Sequence, residues 1–232
     1  MKLIAILTAA LLLVSAQISL ANTLTFVTPA GSFDSNGEPV SAQATVTTGK
    51  GIVTVDLSNL ITNQKDVGQA VSDFSVNLSG SGLKLTSITS SANSITVSSH
   101  GSVTDNGTVT DFLSSSHYQL GGNTLSIDWL GAGQPKYTVL GPVSANGKYD
   151  NANRSIAGNG PHNPFLNGDV TFTFDISGVT SNTNLSGAVF SFGTQSGDNI
   201  KAADPVPEPS SLLLLGSVVL GYALIFRRGK RA

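Results

Sequence analysis

The chain has 232 residues, no cysteine and only 11% charged residues, with a formal net charge of −2. The missing cysteines exclude disulfides, thiol catalysis and cysteine-ligated zinc. Lys2, Arg227, Arg228, Lys230 and Arg231 sit at the two ends, and residues 22–204 carry seven basic against thirteen acidic residues, a balance that excludes the basic face nucleic acid requires.

In chain order, Lys2 and the apolar run Leu3–Val14 have the charge and length of a secretory signal core and are too short for a good membrane span. Ser19-Leu20-Ala21 offers small residues at the two positions a signal peptidase reads. Residues 1–21 are therefore read as a signal peptide cut after Ala21, with Ala16 as the alternative.

Residues 22–201 alternate apolar and polar with a period of two, the mark of strands with one buried face. Val53, Val55 and Leu57 share a face, as do Phe74, Val76 and Leu78, Leu125, Ile127 and Trp129, Phe172, Phe174 and Ile176, and Ala188, Phe190 and Phe192. Weaker candidates lie at Leu24–Val27, Ala42–Thr47, Leu83–Ile88, Ser94–Val97 and Tyr137–Leu140. Asn-Gly pairs begin at Asn36, Asn106, Asn146, Asn159 and Asn167 and mark tight turns between them. Only Asp66–Asp73 has helical spacing, over one turn at most. The expected body is a single all-β domain, an antiparallel β-sandwich of jelly-roll type.

Residues 202–209 read as a short Pro-containing linker that holds the body off the membrane. Residues 210–226 then form an apolar run without charge, read as a single transmembrane helix; Ser211–Phe226 spans roughly 24 Å, a little short of the hydrocarbon core. Arg227, Arg228, Lys230 and Arg231 stop translocation and hold residues 227–232 on the cytoplasmic side.

The order Val206-Pro207-Glu208-Pro209, apolar span, Arg-rich end resembles the PEP-CTERM sorting signal of Gram-negative bacteria. The resemblance implies that Pro207, Glu208 and Pro209 are read by an exosortase, a membrane-embedded transpeptidase-like enzyme. It also implies that the inner membrane is a transient station before the cell surface or extracellular matrix. Gly158-Asn159-Gly160-Pro161-His162-Asn163-Pro164-Phe165 and Phe190-Ser191-Phe192-Gly193-Thr194 resemble segments of uncharacterised proteins with this tail, which names no activity for the body.

The body offers little chemistry. G-x-S-x-G and H-E-x-x-H are missing, and His100, His117 and His162 do not pair at ligand spacing. Asp34-Ser35-Asn36-Gly37-Glu38 and Asp105–Asp111 place oxygens at alternate positions, but neither completes a twelve-residue calcium loop with its terminal Glu. They read as Asx turns without tight calcium binding, and no cofactor, metal or catalytic residue is expected. The functional expectation is a non-catalytic surface or matrix protein, with extracellular polysaccharide as a candidate partner. The alternative is a secreted carbohydrate-active enzyme or carbohydrate-binding module on the same scaffold.

Overall fold

The computed structural model describes residues 21–130, 135–194 and 198–207. Thirteen strands form one sheet system: β1 (Asn22–Val27), β2 (Ala42–Gly49), β3 (Ile52–Asn59), β4 (Val71–Leu78), β5 (Lys84–Val97), β6 (Val103–Thr110), β7 (Tyr118–Gly121), β8 (Thr124–Asp128), β9 (Val139–Leu140), β10 (Phe165–Ser177), β11 (Leu185–Phe192), β12 (Asn199–Lys201) and β13 (Val206–Pro207). The helical spacing at Asp66–Asp73 becomes a single 3-10 turn, Val67–Gln69, closed by a capping box between Asp66 and Gln69.

Pairing divides the sheet into two limbs. One runs β6-β5-β10-β3-β2-β1-β13, the other β12-β11-β4-β8-β7. The short strand β9 joins them, pairing with β4 through Val71 and with β10 through Leu166 and Asn167. The β9–β10 pairing is parallel, so the expected purely antiparallel sheet is corrected to a mixed one. The reason lies in the connection: residues 141–164 separate β9 from β10, long enough for the crossover that a parallel pair needs.

All five alternating faces named from sequence are buried and meet in one apolar cluster fed by both limbs. Trp129, just after β8, packs its ring edge-on against Phe172 of β10 at 5.6 Å between centroids, so side chains of the two limbs touch across the core. Phe112 and Phe174 flank the same Phe172 ring at 6.0 and 6.4 Å. A satellite cluster around Tyr149, Ile156 and Phe165 closes one end.

The candidates Leu83–Ile88 and Ser94–Val97 are two ends of one strand, β5, whose polar middle is held by pairing with β10. Two of the Asn-Gly pairs are not turns. Gly107 (φ +82°) lies in β6 and Gly168 (φ +78°) in β10, each at a register shift where the positive φ makes a bulge. Asp105–Asp111 is thus mostly strand, and Asp105 Oδ1 accepts from the Gly107 N–H at 2.8 Å. Asn36-Gly37 and Asn146-Gly147 do close turns, with the Asp34 backbone N–H donating to Glu38 O and the Ser144 backbone N–H to Lys148 O.

At the joint, the buried side-chain amides of Asn59 and Gln64 bond to backbone groups. Asn59 Nδ2 donates to Gln69 O at 2.7 Å and to Val139 O at 3.0 Å. Gln64 Nε2 donates to Gln69 O at 2.6 Å, while Gln64 Oε1 accepts from Gly141 N at 2.7 Å.

Phe172→Ala removes a ring shared by both limbs and is expected to cost about 3–5 kcal/mol. Urea unfolding followed by Trp129 fluorescence measures it; a midpoint equal to that of the unaltered chain would mean that Phe172 does not pack as described.

Candidate functional site

Three places bring polar groups together. The first is the seam where the chain ends meet. Ala21 is exposed and β1 starts at the next residue, where Asn22 Nδ2 donates to Thr183 O at 3.0 Å. Near the other end, the Ala202 N–H donates to Ala188 O of β11 and the Ala203 N–H to Val27 O of β1, both at 2.9 Å. Consecutive residues therefore bond to opposite ends of the strand path. β13 then pairs antiparallel with β1, Val206 opposite Thr25 and Pro207 opposite Leu24. Proline lacks an N–H and is tolerated at such an edge. The first part of the stretch read as a Pro-containing linker is thus hydrogen-bonded to the body through Ala202 and Ala203 and paired with β1 through Val206 and Pro207. Glu208, Pro209, Arg227, Arg228, Lys230 and Arg231, the expected transmembrane helix and residues 1–20 lie outside the described residues.

The second place is a carboxyl pair. Asp73 on β4 stands directly opposite Asp128 on β8. The Trp129 N–H donates to Asp73 Oδ1 at 3.0 Å. Burial, and then the hydrogen bond and charge of Asp128, push the Asp73 carboxyl up to about 7. Two carboxyls in hydrogen-bond contact are closer than the roughly 5–10 Å that glycoside hydrolysis uses. The pair is built to share a proton.

The third is a cleft of about 330 Å³ beside the first acidic loop, lined in part by Ser35, Asn36, Asp66, Gly68, Asn153 and Asp198. The loop folds as the expected Asx turn: Asp34 Oδ1 accepts from the N–H groups of Asn36 at 3.0 Å and Glu38 at 2.8 Å. Burial, then the charges of Asp34 and Glu38, push the Asp66 carboxyl up, against the opposing pull of the Gly68 N–H. Among the described residues no three Asp, Glu, His or Cys side chains converge as a metal-binding group.

The histidines stay apart. His117 Nδ1 lies 2.7 Å from Ser114 Oγ in an exposed turn, His100 is exposed, and His162 is buried with Nδ1 3.1 Å from Pro135 O. Trp129, the one tryptophan, is 3% exposed, as its alternation predicts, and offers no platform for a sugar ring.

The carboxyl pair generates a pH dependence. The folded-state value of Asp73 lies above the ordinary 3.8, so between about pH 4 and 7 the folded chain keeps a proton that the unfolded chain has released. Its contribution to stability is full below pH 4, falls as pH rises to 7, and is flat beyond. Asp73→Asn, whose amide donates to Asp128 without ionising, is expected to raise the melting temperature at pH 8 by several degrees and leave it almost unchanged at pH 4. An unaltered stability–pH profile in this variant would show that Asp73 ionises normally in the folded chain.

Comparison with known proteins adds one match. Residues 205–231 match the PEP-CTERM protein-sorting motif. No curated protein and no solved structure matches the chain. The matched stretch begins at the seam, since Val206 and Pro207 are its second and third residues and also form β13. The chain therefore carries a PEP-CTERM sorting motif, which marks it as an exported, exosortase-targeted surface protein whose precursor is held in the membrane.

Proposed function

We propose that the mature chain is a non-catalytic cell-surface or extracellular-matrix protein, released from a transient inner-membrane precursor by an exosortase-type transpeptidase that reads Pro207-Glu208-Pro209. The observation that carries this reading is the sorting motif starting at the edge of a folded β body. The body itself is read as a two-layer β-sandwich, supported by the Trp129–Phe172 contact between limbs and by the return of residues 202–203 from β11 to β1. Its sequential neighbours pair locally as hairpins, β1-β2-β3, β5-β6, β7-β8 and β11-β12, which argues less for jelly-roll crossovers than for a simpler sandwich.

Extracellular polysaccharide is the partner the surface chemistry favours. A shallow groove between β5, the end of β6 and β10 is lined by Ser90, Ser91, Thr110, Asp111, Thr171 and Thr173. Hydroxyls and one carboxylate can exchange hydrogen bonds with sugar hydroxyls at little net cost. The groove lacks an aromatic side chain among its lining residues, so affinity would come from many weak contacts along a polymer rather than from one tight subsite. The enzyme reading would need a second carboxylate about 5–10 Å from Asp111 across this groove, and the groove supplies none among its lining residues.

Glu208→Ala is expected to leave export intact and strand the full-length precursor in the inner membrane. Mass spectrometry of the surface-associated wild-type protein is the check: peptides from Leu212 to Phe226 on the mature form would mean a permanent anchor. A glycan array and a hydrolase screen on the exported protein separate the two body functions; retention without turnover supports the matrix role, and turnover would establish an enzyme.

A further inference from the structure

The strand register lines up polar side chains well beyond the groove. Thr25, Thr45, Asp56, Thr171, Ser91 and Thr110 stand opposite one another in turn across β1, β2, β3, β10, β5 and β6. Two residues along each strand, Thr23, Thr47, Thr54, Thr173 and Thr89 form a second row across β1, β2, β3, β10 and β5. Residues opposite in register share a face. This face points outward: Val46, Val55 and Phe172, which lie between the rows, are buried, whereas every member of the rows is half-buried or exposed. Hydrogen bonds along the rows fix the side chains: Thr23 with Thr47 at 3.1 Å, Thr25 with Thr45 at 3.0 Å, and Thr171 Oγ1 donating to Asp56 Oδ1 at 2.6 Å. A hydroxyl has one donor and two acceptor positions, so one lateral bond does not exhaust it. Neither row contains a basic or aromatic residue. Asp56 is flanked by Asp169 and Asp175, which accept from the hydroxyls of Ser58 and Ser87 rather than from a cation.

We propose that the two rows are a binding track for an extended, neutral, equatorially linked glycan that lies across the strands, one sugar ring to a strand. The proposal rests on the polysaccharide reading above and enlarges it: the groove at Thr171 and Thr173 is one end of the track, and Thr23 and Thr25 are the other. Strands stand about 4.8 Å apart, so the first row runs roughly 24 Å, and the rows lie about 6.7 Å from each other along the strands. The ring repeat of such a glycan is close to the strand spacing, and the hydroxyls at the two edges of its ribbon fall on the two rows. Rotation at the glycosidic bonds lets the chain follow the twist of the sheet. The carboxylates of Asp56, Asp169 and Asp175 repel a polyuronate, so charge selects a neutral chain.

The test is co-sedimentation of the exported protein with microcrystalline cellulose and with polygalacturonate beads, competed by cello-oligosaccharides of increasing length. Retention on cellulose is expected to exceed that on polygalacturonate, and competition to strengthen up to about five or six sugars, one for each strand crossed. Thr45→Val with Thr47→Val keeps the branched shape and removes two hydroxyls outside the groove. This variant is expected to weaken retention roughly tenfold, with melting as the check that the sheet is intact. Thr171→Val with Thr173→Val, in the groove, weakens it likewise. Loss in the groove variant alone would overturn the track and leave the polysaccharide reading standing. A competition plateau at two or three sugars, read on the unaltered chain, would overturn the track as well. Equal retention on polygalacturonate would overturn the neutral ligand. An unaltered chain that binds no glycan would overturn the polysaccharide reading and the track with it.

Discussion

The two limbs meet at β9, and there Asn59 gives its side-chain amide to two backbone carbonyls, Gln69 O and Val139 O. Gln69 O belongs to the 3-10 turn before β4, and Val139 O belongs to β9, the strand that bridges the limbs. Asn59 Oδ1 in turn accepts from the Ile61 N–H at 3.0 Å. Gln64 repeats the device on Gln69 O and Gly141 N, and Tyr149 and Asn167 donate to Gly141 O at 2.7 and 3.0 Å. Each of these groups left alone in the interior would cost about 1–3 kcal/mol. A two-residue strand with so few ladder bonds of its own depends on them, and Gly141 is required there because a Cβ would meet Ile61 O at 2.2 Å. A protein without disulfides is thus locked by amides at the one place where its sheet is thinnest.

The same chemistry extends to the outside. Solvent-facing positions on β1 and β2 carry threonines paired across the ladder, Thr23 with Thr47 at 3.1 Å and Thr25 with Thr45 at 3.0 Å. Hydroxyl and amide hydrogen bonds are weakly dependent on salt, whereas ion pairs between exposed side chains are screened. Lys65–Glu38 is the one salt bridge among the described residues. A surface that relies so little on charge suits a protein whose address is the changeable medium outside the cell.

How much of this was legible in the sequence follows from the range of each interaction. Period-two alternation exposed the faces of β3, β4, β8, β10 and β11, because burial of one face is a local pattern. β6 was hidden, since Val103–Thr110 is exposed along most of its length and contains Asn106-Gly107, a turn signal that here makes a bulge. β7 was hidden by its brevity, whereas β9 falls within the candidate Tyr137–Leu140 and only its parallel partner had to come from tertiary structure. The carboxyl pair illustrates the limit most plainly. Asp73 and Asp128 are 55 positions apart in a chain with fourteen acidic residues, and nothing in either neighbourhood names the other. The sorting signal, by contrast, is contiguous and was readable as written, except that its first residues are also a strand.

That strand has a temporal meaning. Secretion delivers a polypeptide amino end first, so β1 reaches the far side of the membrane at the start and waits for its outer neighbour until residues 203–207 have emerged. Among the described strands the seam is the last pairing that can form, because it joins β1, the first in chain order, to β13, the last. Completion of the sheet and arrival of the processing signal outside the bilayer are consequently one event. A chain stalled halfway would present neither a closed sheet nor a motif, and the architecture couples readiness for processing to completeness of the cargo.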